Sequence, residues 1–169
     1  MNSTEKTEKS GGPAGECRIK RAFVIFFATG TGLGYSPLIP GTLGTIWGVA
    51  ISFPLSTLPV AARMASILAL IALAIFFSQE AKGLLGGGDP KEIVCDEAAG
   101  FTAASFMVPH GAGEIILVFI LFRIFDILKP FPIGLIERRI PGGAGIVLDD
   151  VMAGIYANIS ARIIIGFVL

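Results

Sequence analysis

From Ala22 to Ala62 the chain carries no charged side chain, and three further uncharged runs follow, Met64 to Gln79, Ala98 to Pro109 and Val151 to Ala161. Charged residues fill only 15% of the 169 positions, against 53% hydrophobic ones, and mean hydropathy is +0.78. This scarcity of charge excludes an ordinary water-soluble domain, and several separate uncharged runs indicate a multi-span membrane protein rather than one anchor. Cysteine is nearly missing as well. Cys17 and Cys95 have neither the number nor the spacing of a disulfide framework or a zinc site. Cys95 also lacks an arginine six residues on, where Phe101 sits, which excludes a thiolate phosphatase loop. The sole histidine, His110, cannot supply a nitrogen ligand set. A formal net charge of zero gives no bulk attraction to nucleic acid.

What is present fits one all-α membrane domain over residues 19–169. Candidate spans are Gly41 to Thr57, Met64 to Glu80, Ile93 to Val108, Glu114 to Leu128 and Val147 to Leu169, helical because a spanning segment must satisfy its own backbone. Prolines and glycines separate them: Pro54 and Pro59, Gly86-Gly87-Gly88-Asp89-Pro90, Pro109-His110-Gly111, then Pro130, Pro132 and Pro141-Gly142-Gly143. Sixteen residues rise roughly 24 Å, less than a hydrocarbon core of roughly 30 Å, so these about five helices are short. Residues 1–18 read as a disordered cytoplasmic tail too polar to bury itself. Arg18, Lys20 and Arg21 before Ala22 to Ala28 resemble a signal-peptide start, but the apolar stretch is brief and no cleavage is expected. The Gly/Pro-rich stretch from Ala22 to Pro40 reads as an interfacial or re-entrant segment. With a cytoplasmic N-terminus, alternating connections put Lys6, Lys9, Arg18, Lys20, Arg21, Lys82, Lys91, Lys129, Arg138 and Arg139 on the cytoplasmic side, as the positive-inside rule requires.

The same topology brings Asp96-Glu97, Asp126 and Asp149-Asp150 to that one interface, although charge bias alone selected it. Ionisable groups at membrane depth are costly and mark function. Arg123, Asp126 and Lys129, three apart, share one helix face. Each acidic pair is followed within a turn by alanine and glycine, in Asp96-Glu97-Ala98-Ala99-Gly100 and Asp149-Asp150-Val151-Met152-Ala153-Gly154, which allow close helix approach. Carboxylates gathered from separate helices call for a hard divalent metal, magnesium by default, on Asp96, Glu97, Asp126, Asp149 and Asp150. A metal beside Arg123 and Lys129 points to a phosphate substrate, and the expected reaction is phosphomonoester hydrolysis by water. The run from Gly30 to Pro37, continuing through Pro40-Gly41-Thr42-Leu43-Gly44, lacks the Gly-Lys-Ser/Thr of a Walker loop but offers backbone N–H groups and hydroxyls to an anion; Gly34, Ser36, Gly41 and Thr42 are its candidate substrate-binding residues.

Four ordered blocks carry a resemblance: Gly32-x-Gly34-x-Ser36-Pro37 with Pro40-Gly41-Thr42-x-Gly44; Asp96-Glu97-x-x-Gly100; Phe122-Arg123-x-x-Asp126-x-x-Lys129-Pro130-x-Pro132; and Gly142-Gly143-x-Gly145-Ile146-x-x-Asp149-Asp150-x-x-Ala153-Gly154. Over about Phe23 to Ala157 the chain resembles the bacterial phosphatidylglycerophosphatase A family. The resemblance implies a Mg²⁺-dependent lipid phosphatase of the inner membrane, its site facing the cytoplasm, releasing phosphate from phosphatidylglycerophosphate, an anionic phospholipid. It also implies that Asp96, Glu97, Asp126, Asp149 and Asp150 are metal ligands or catalytic acids, with Lys129 and Arg123 assisting the phosphate. Rival readings are a phosphatidic acid phosphatase, a lipid transferase and a cation transporter. The transferase pattern Asp-Gly-x-x-Ala-Arg is missing, since Val151 follows Asp150, and a transporter would need acids near the bilayer middle.

Overall fold

The computed structural model describes residues 13–87 and 90–168. Residues 1–12, most of the expected tail, and Gly88-Asp89 of the second break lie outside the described residues. The described chain is all helical: α1 Pro13–Ala28, a 3-10 turn Leu33–Tyr35, α2 Pro40–Ser56, α3 Val60–Leu84, α4 Cys95–Ala104, α5 Ala112–Leu128, α6 Ile133–Arg139 and α7 Gly142–Val168. Two of these helices, α3 and α7, are long and apolar enough to cross a membrane. α2 and α5 have 17 residues each and rise roughly 26 Å.

The interior is apolar around Phe101, Phe122, Val118 and Ile133 but admits several hydroxyls, and the exterior is apolar as well. Thr45, Ser52, Ser78, Thr102 and Ser105 are buried, while Leu68, Leu73, Phe76, Ile120, Ile124, Ile159 and Ile163 are exposed. Most of these hydroxyls bond within their own helices, as Thr45 Oγ1 does to the Gly41 carbonyl (2.8 Å) and Thr102 Oγ1 to Ala99 (2.8 Å), while Ser78 Oγ meets Cys95 Sγ of α4 (3.4 Å). An apolar exterior of this extent suits hydrocarbon, not water.

Three expectations change. Ile93–Val108 is not one continuous helix: α4 has ten residues, about 15 Å, and cannot span alone. Its end is fixed by Asn158 of α7, whose Nδ2 donates to the carbonyls of Ala104 (2.8 Å) and Phe106 (2.6 Å), and by Met107 at φ 60°. Nearly every α4 residue is buried, so α4 is a core element flanked by α2, α3, α5 and α7. Secondly, Ala22 to Pro40 begins as helix, and residues 13–18 of the expected tail form the first turns of α1. Phe23 and Phe27 share a face against Phe77 of α3, with ring centroids 6.1 and 5.2 Å away. Gly30, Thr31 and Gly32, all at positive φ, then end the helix. Thirdly, α6 occupies a proline-flanked stretch read as a break.

The helices alternate in direction. The starts of α2, α4 and α7 and the ends of α3 and α5 line one cleft. Near the other end of α2, Phe53 meets His110 edge-on at 5.6 Å, which keeps the histidine away from the acids.

Candidate active site

The cleft has a volume of about 770 Å³ and is lined by six carboxylates and six cations. Their arrangement begins with backbone contact. A Cβ at Gly154 would fall on the Gly100 carbonyl, and one at Gly100 would stand 2.7 Å from the Asp150 carbonyl. α4 and α7 therefore meet backbone to backbone, a spacing that only glycine permits. On α2, a Cβ at Gly41 would fall on Glu97 Oε1, and one at Gly44 would stand 2.8 Å from Val94 Cβ and 3.1 Å from Glu97 Oε2. These positions press α4 between α2 and α7. The start of α4 is tied down by Val94 N–H, which donates to the Ala28 carbonyl (2.9 Å), and that of α7 by Gly143 N–H, which donates to Gln79 Oε1 (2.7 Å).

This frame aims three acids at one point. Asp96 and Glu97 occupy the first turn of α4, where the helix dipole favours negative charge. Asp150 faces them from α7, and one carboxylate oxygen from each of the three lies within 4.8 Å of the others. Asp96 and Asp150 are 8% and 5% exposed. Asp96 Oδ1 and Glu97 Oε2 are buried with no hydrogen-bond partner, and none of the three acids has an ion-pair cation among the described residues. Unpaired carboxylate oxygens at such burial are costly, and an all-oxygen donor set relieved by a hard divalent cation answers that cost. Asp96, Glu97 and Asp150 thus fit a hard divalent cation by their chemistry.

The remaining acids of the sequence blocks behave differently. Asp126, beside Asp150 and Glu97, accepts from Arg123 Nη1 at 2.7 Å. Asp149 turns the other way, to Lys129 Nζ at 2.7 Å, and Glu137 of α6 holds the same ammonium at 3.0 Å. Burial works against the Lys129 charge, but these two carboxylates outweigh it and raise its pKa above the usual lysine range. Lys129 sits in left-handed backbone at φ 43°, ψ 55°, closing α5.

Gly41 and Thr42 line the cleft; Gly34 and Ser36 border an adjoining surface depression that shares Leu38, Pro40 and Lys91 with it. Gly34 packs so tightly on the Glu92 carbonyl that a Cβ would collide with it. Lys82, Lys91, Glu137, Arg138 and Arg139 also line the cleft, although the sequence motifs singled out none of them as site residues. Only their shared side in the alternating topology marked the four cations. An apolar groove of about 380 Å³ along α5 adjoins this site at Arg123, which lines both.

The chain is similar to proteins of one known family. The family model described as phosphatidylglycerophosphatase A matches residues 26–165. A Bacteroides thetaiotaomicron protein named "Putative phosphatidylinositol-3-phosphatase" is 37% identical over 156 residues, covering 84% of this chain and 95% of the relative. Proteins named phosphatidylglycerophosphatase A from Escherichia coli and Haemophilus influenzae are 31% and 37% identical, covering 76% and 80% of this chain and 75% and 85% of their own lengths. No solved structure matches the chain.

Proposed function

Since the chain belongs to the phosphatidylglycerophosphatase A family, we propose that its cleft hydrolyses phosphatidylglycerophosphate to phosphatidylglycerol and phosphate, with Mg²⁺ held by Asp96, Glu97 and Asp150. The observation that carries the reading is the pair of buried, partnerless oxygens, Asp96 Oδ1 and Glu97 Oε2, facing Asp150 in a cleft also lined by cations. When bound, the ion withdraws charge from the phosphoryl oxygens and lowers the barrier to attack at phosphorus.

The chain's own groups supply the rest. Asp126 stands outside the three-acid set, held by Arg123, and is the base for the attacking water. Water adds to phosphorus, its proton passes to Asp126, and the phosphorus–oxygen bond to the glycerol breaks, the alcohol oxygen taking its proton from solvent. Arg123 and Lys129 balance charge on the non-bridging oxygens. Asp149 and Glu137 keep Lys129 turned toward the cleft.

The protein is placed by this reading as a multi-pass protein of the bacterial inner membrane with the cleft opening to the cytoplasm. The gathering of Lys82, Lys91, Arg138 and Arg139 around that opening supports the orientation. The deciding experiment is phosphate release by purified protein from phosphatidylglycerophosphate and phosphatidic acid, with and without Mg²⁺. Wild type is expected to favour the former and to need the metal. Asp126→Asn should lose most turnover while keeping its fold; unchanged turnover would remove Asp126 from the chemistry.

A further inference from the structure

The two cations nearest the acids are already engaged, Arg123 by Asp126 and Lys129 by Asp149 and Glu137. The other four lining cations, Lys82, Lys91, Arg138 and Arg139, make no ion pair among the described residues. They come from the end of α3, the α3–α4 connection and the last turn of α6, so three segments converge to put positive charge around one opening. A lipid with a terminal phosphomonoester and an internal phosphodiester brings more charge than the engaged cations and one metal ion neutralise. The cleft volume, within the range of a small-ligand site, leaves room for both phosphates.

Resting on the phosphatase reading above, we propose that Arg138 and Arg139, assisted by Lys82 and Lys91, form the subsite for the internal phosphodiester while the monoester occupies the acidic floor. These residues then set the substrate class: lipids carrying both a phosphodiester and a distal phosphomonoester are held at two points, and phosphatidic acid, with a monoester alone, at one. The lipids in the relatives' printed names, a phosphatidylglycerophosphate and a phosphatidylinositol 3-phosphate, share that two-phosphate pattern. Planar guanidinium groups suit diester oxygens, and their exposure leaves them free to rearrange around a headgroup.

The test measures kcat and KM of the full chain in mixed micelles for phosphatidylglycerophosphate and for phosphatidic acid. Arg138→Gln/Arg139→Gln is expected to raise KM for the two-phosphate lipid about tenfold, and so to cut the preference over phosphatidic acid about tenfold, with kcat on the two-phosphate lipid little changed. Arg138→Lys/Arg139→Lys should recover part of that loss. Both positions are exposed at the end of a short helix, and a thermal melt matching wild type establishes that the fold is kept. If the Gln variant keeps the wild-type preference, the subsite is overturned while the phosphatase reading stands. If wild type releases phosphate from neither lipid, both fall.

Discussion

Asp149 and Asp150 are neighbours in the chain and opposites in the structure. Successive helix positions point about 100° apart, so Asp150 faces Asp96 and Glu97 across the α4–α7 contact while Asp149 faces Lys129. One carboxylate joins a floor of unpaired acids, and the other sits in a shoulder of ion pairs. The difference teaches that burial alone does not set one end of this cleft apart from the other, since both aspartates are buried. What separates them is whether a protein cation already answers the charge.

If that distinction governs function, the largest effect belongs to the floor. Asp150→Asn and Asp96→Asn should each lower kcat on phosphatidylglycerophosphate by about 10³-fold or more, since the proposed ion would lose a charged ligand. Asp149→Asn should cost only about ten- to a hundredfold, because it acts through Lys129. Equal losses at Asp149 and Asp150 would erase the contrast. Magnesium titration followed by calorimetry sharpens it: the Asp150→Asn protein should bind the ion much more weakly, and the Asp149→Asn protein close to normally.

Next in size is the frame beneath the floor. Gly100→Ala forces a methyl group against the Asp150 carbonyl and should destabilise the fold by about 1–3 kcal/mol, read from thermal or denaturant unfolding in detergent. Gly113→Ala, where a Cβ would meet nothing within 4 Å, should leave unfolding almost unmoved. Matching shifts in the two variants would mean that the backbone contact is not the constraint. The smallest effect is expected at the outermost shoulder residue. Glu137, half-exposed, is one of two acids on Lys129, and Glu137→Gln should change KM by about two- to threefold at most, read in steady-state assays.

Much of the architecture was legible because composition and punctuation act locally. The runs expected as Gly41 to Thr57 and Glu114 to Leu128 correspond to α2 and α5 within about two residues, and Pro59, Pro109 and Pro141 fall between helices, whereas Pro54, read as a break, lies inside the last turn of α2. α4 was overextended because an uncharged run reads alike whether it faces lipid or protein; only its contacts with α2, α5 and α7 distinguish them. α6 is seven residues long, too short for a periodicity, and α1 begins in a polar stretch whose helix is supported by tertiary contact with α3. At the site, the sequence could mark acidic pairs but not sort them. Glu97 and Asp96 are adjacent and both reach the floor, whereas Asp149 and Asp150 are adjacent and part company. That outcome depends on helix rotation, which Gly100, Gly154 and Gln79 fix from elsewhere in the chain. Gly34 and Ser36 looked like part of one loop with Gly41 and Thr42, and the 3-10 turn sets them in an adjoining depression that shares Leu38, Pro40 and Lys91 with the cleft.

The meeting of Gly100 with Gly154 leaves nothing there to swivel or compress, so peptide planes alone gauge the distance between two acid-bearing helices. Under the proposed reading, an arriving ion would meet a ready-made gap instead of one it must draw shut. Under the same proposal, changes among the exposed arginines outside would alter which lipid is gripped without retuning the gap itself.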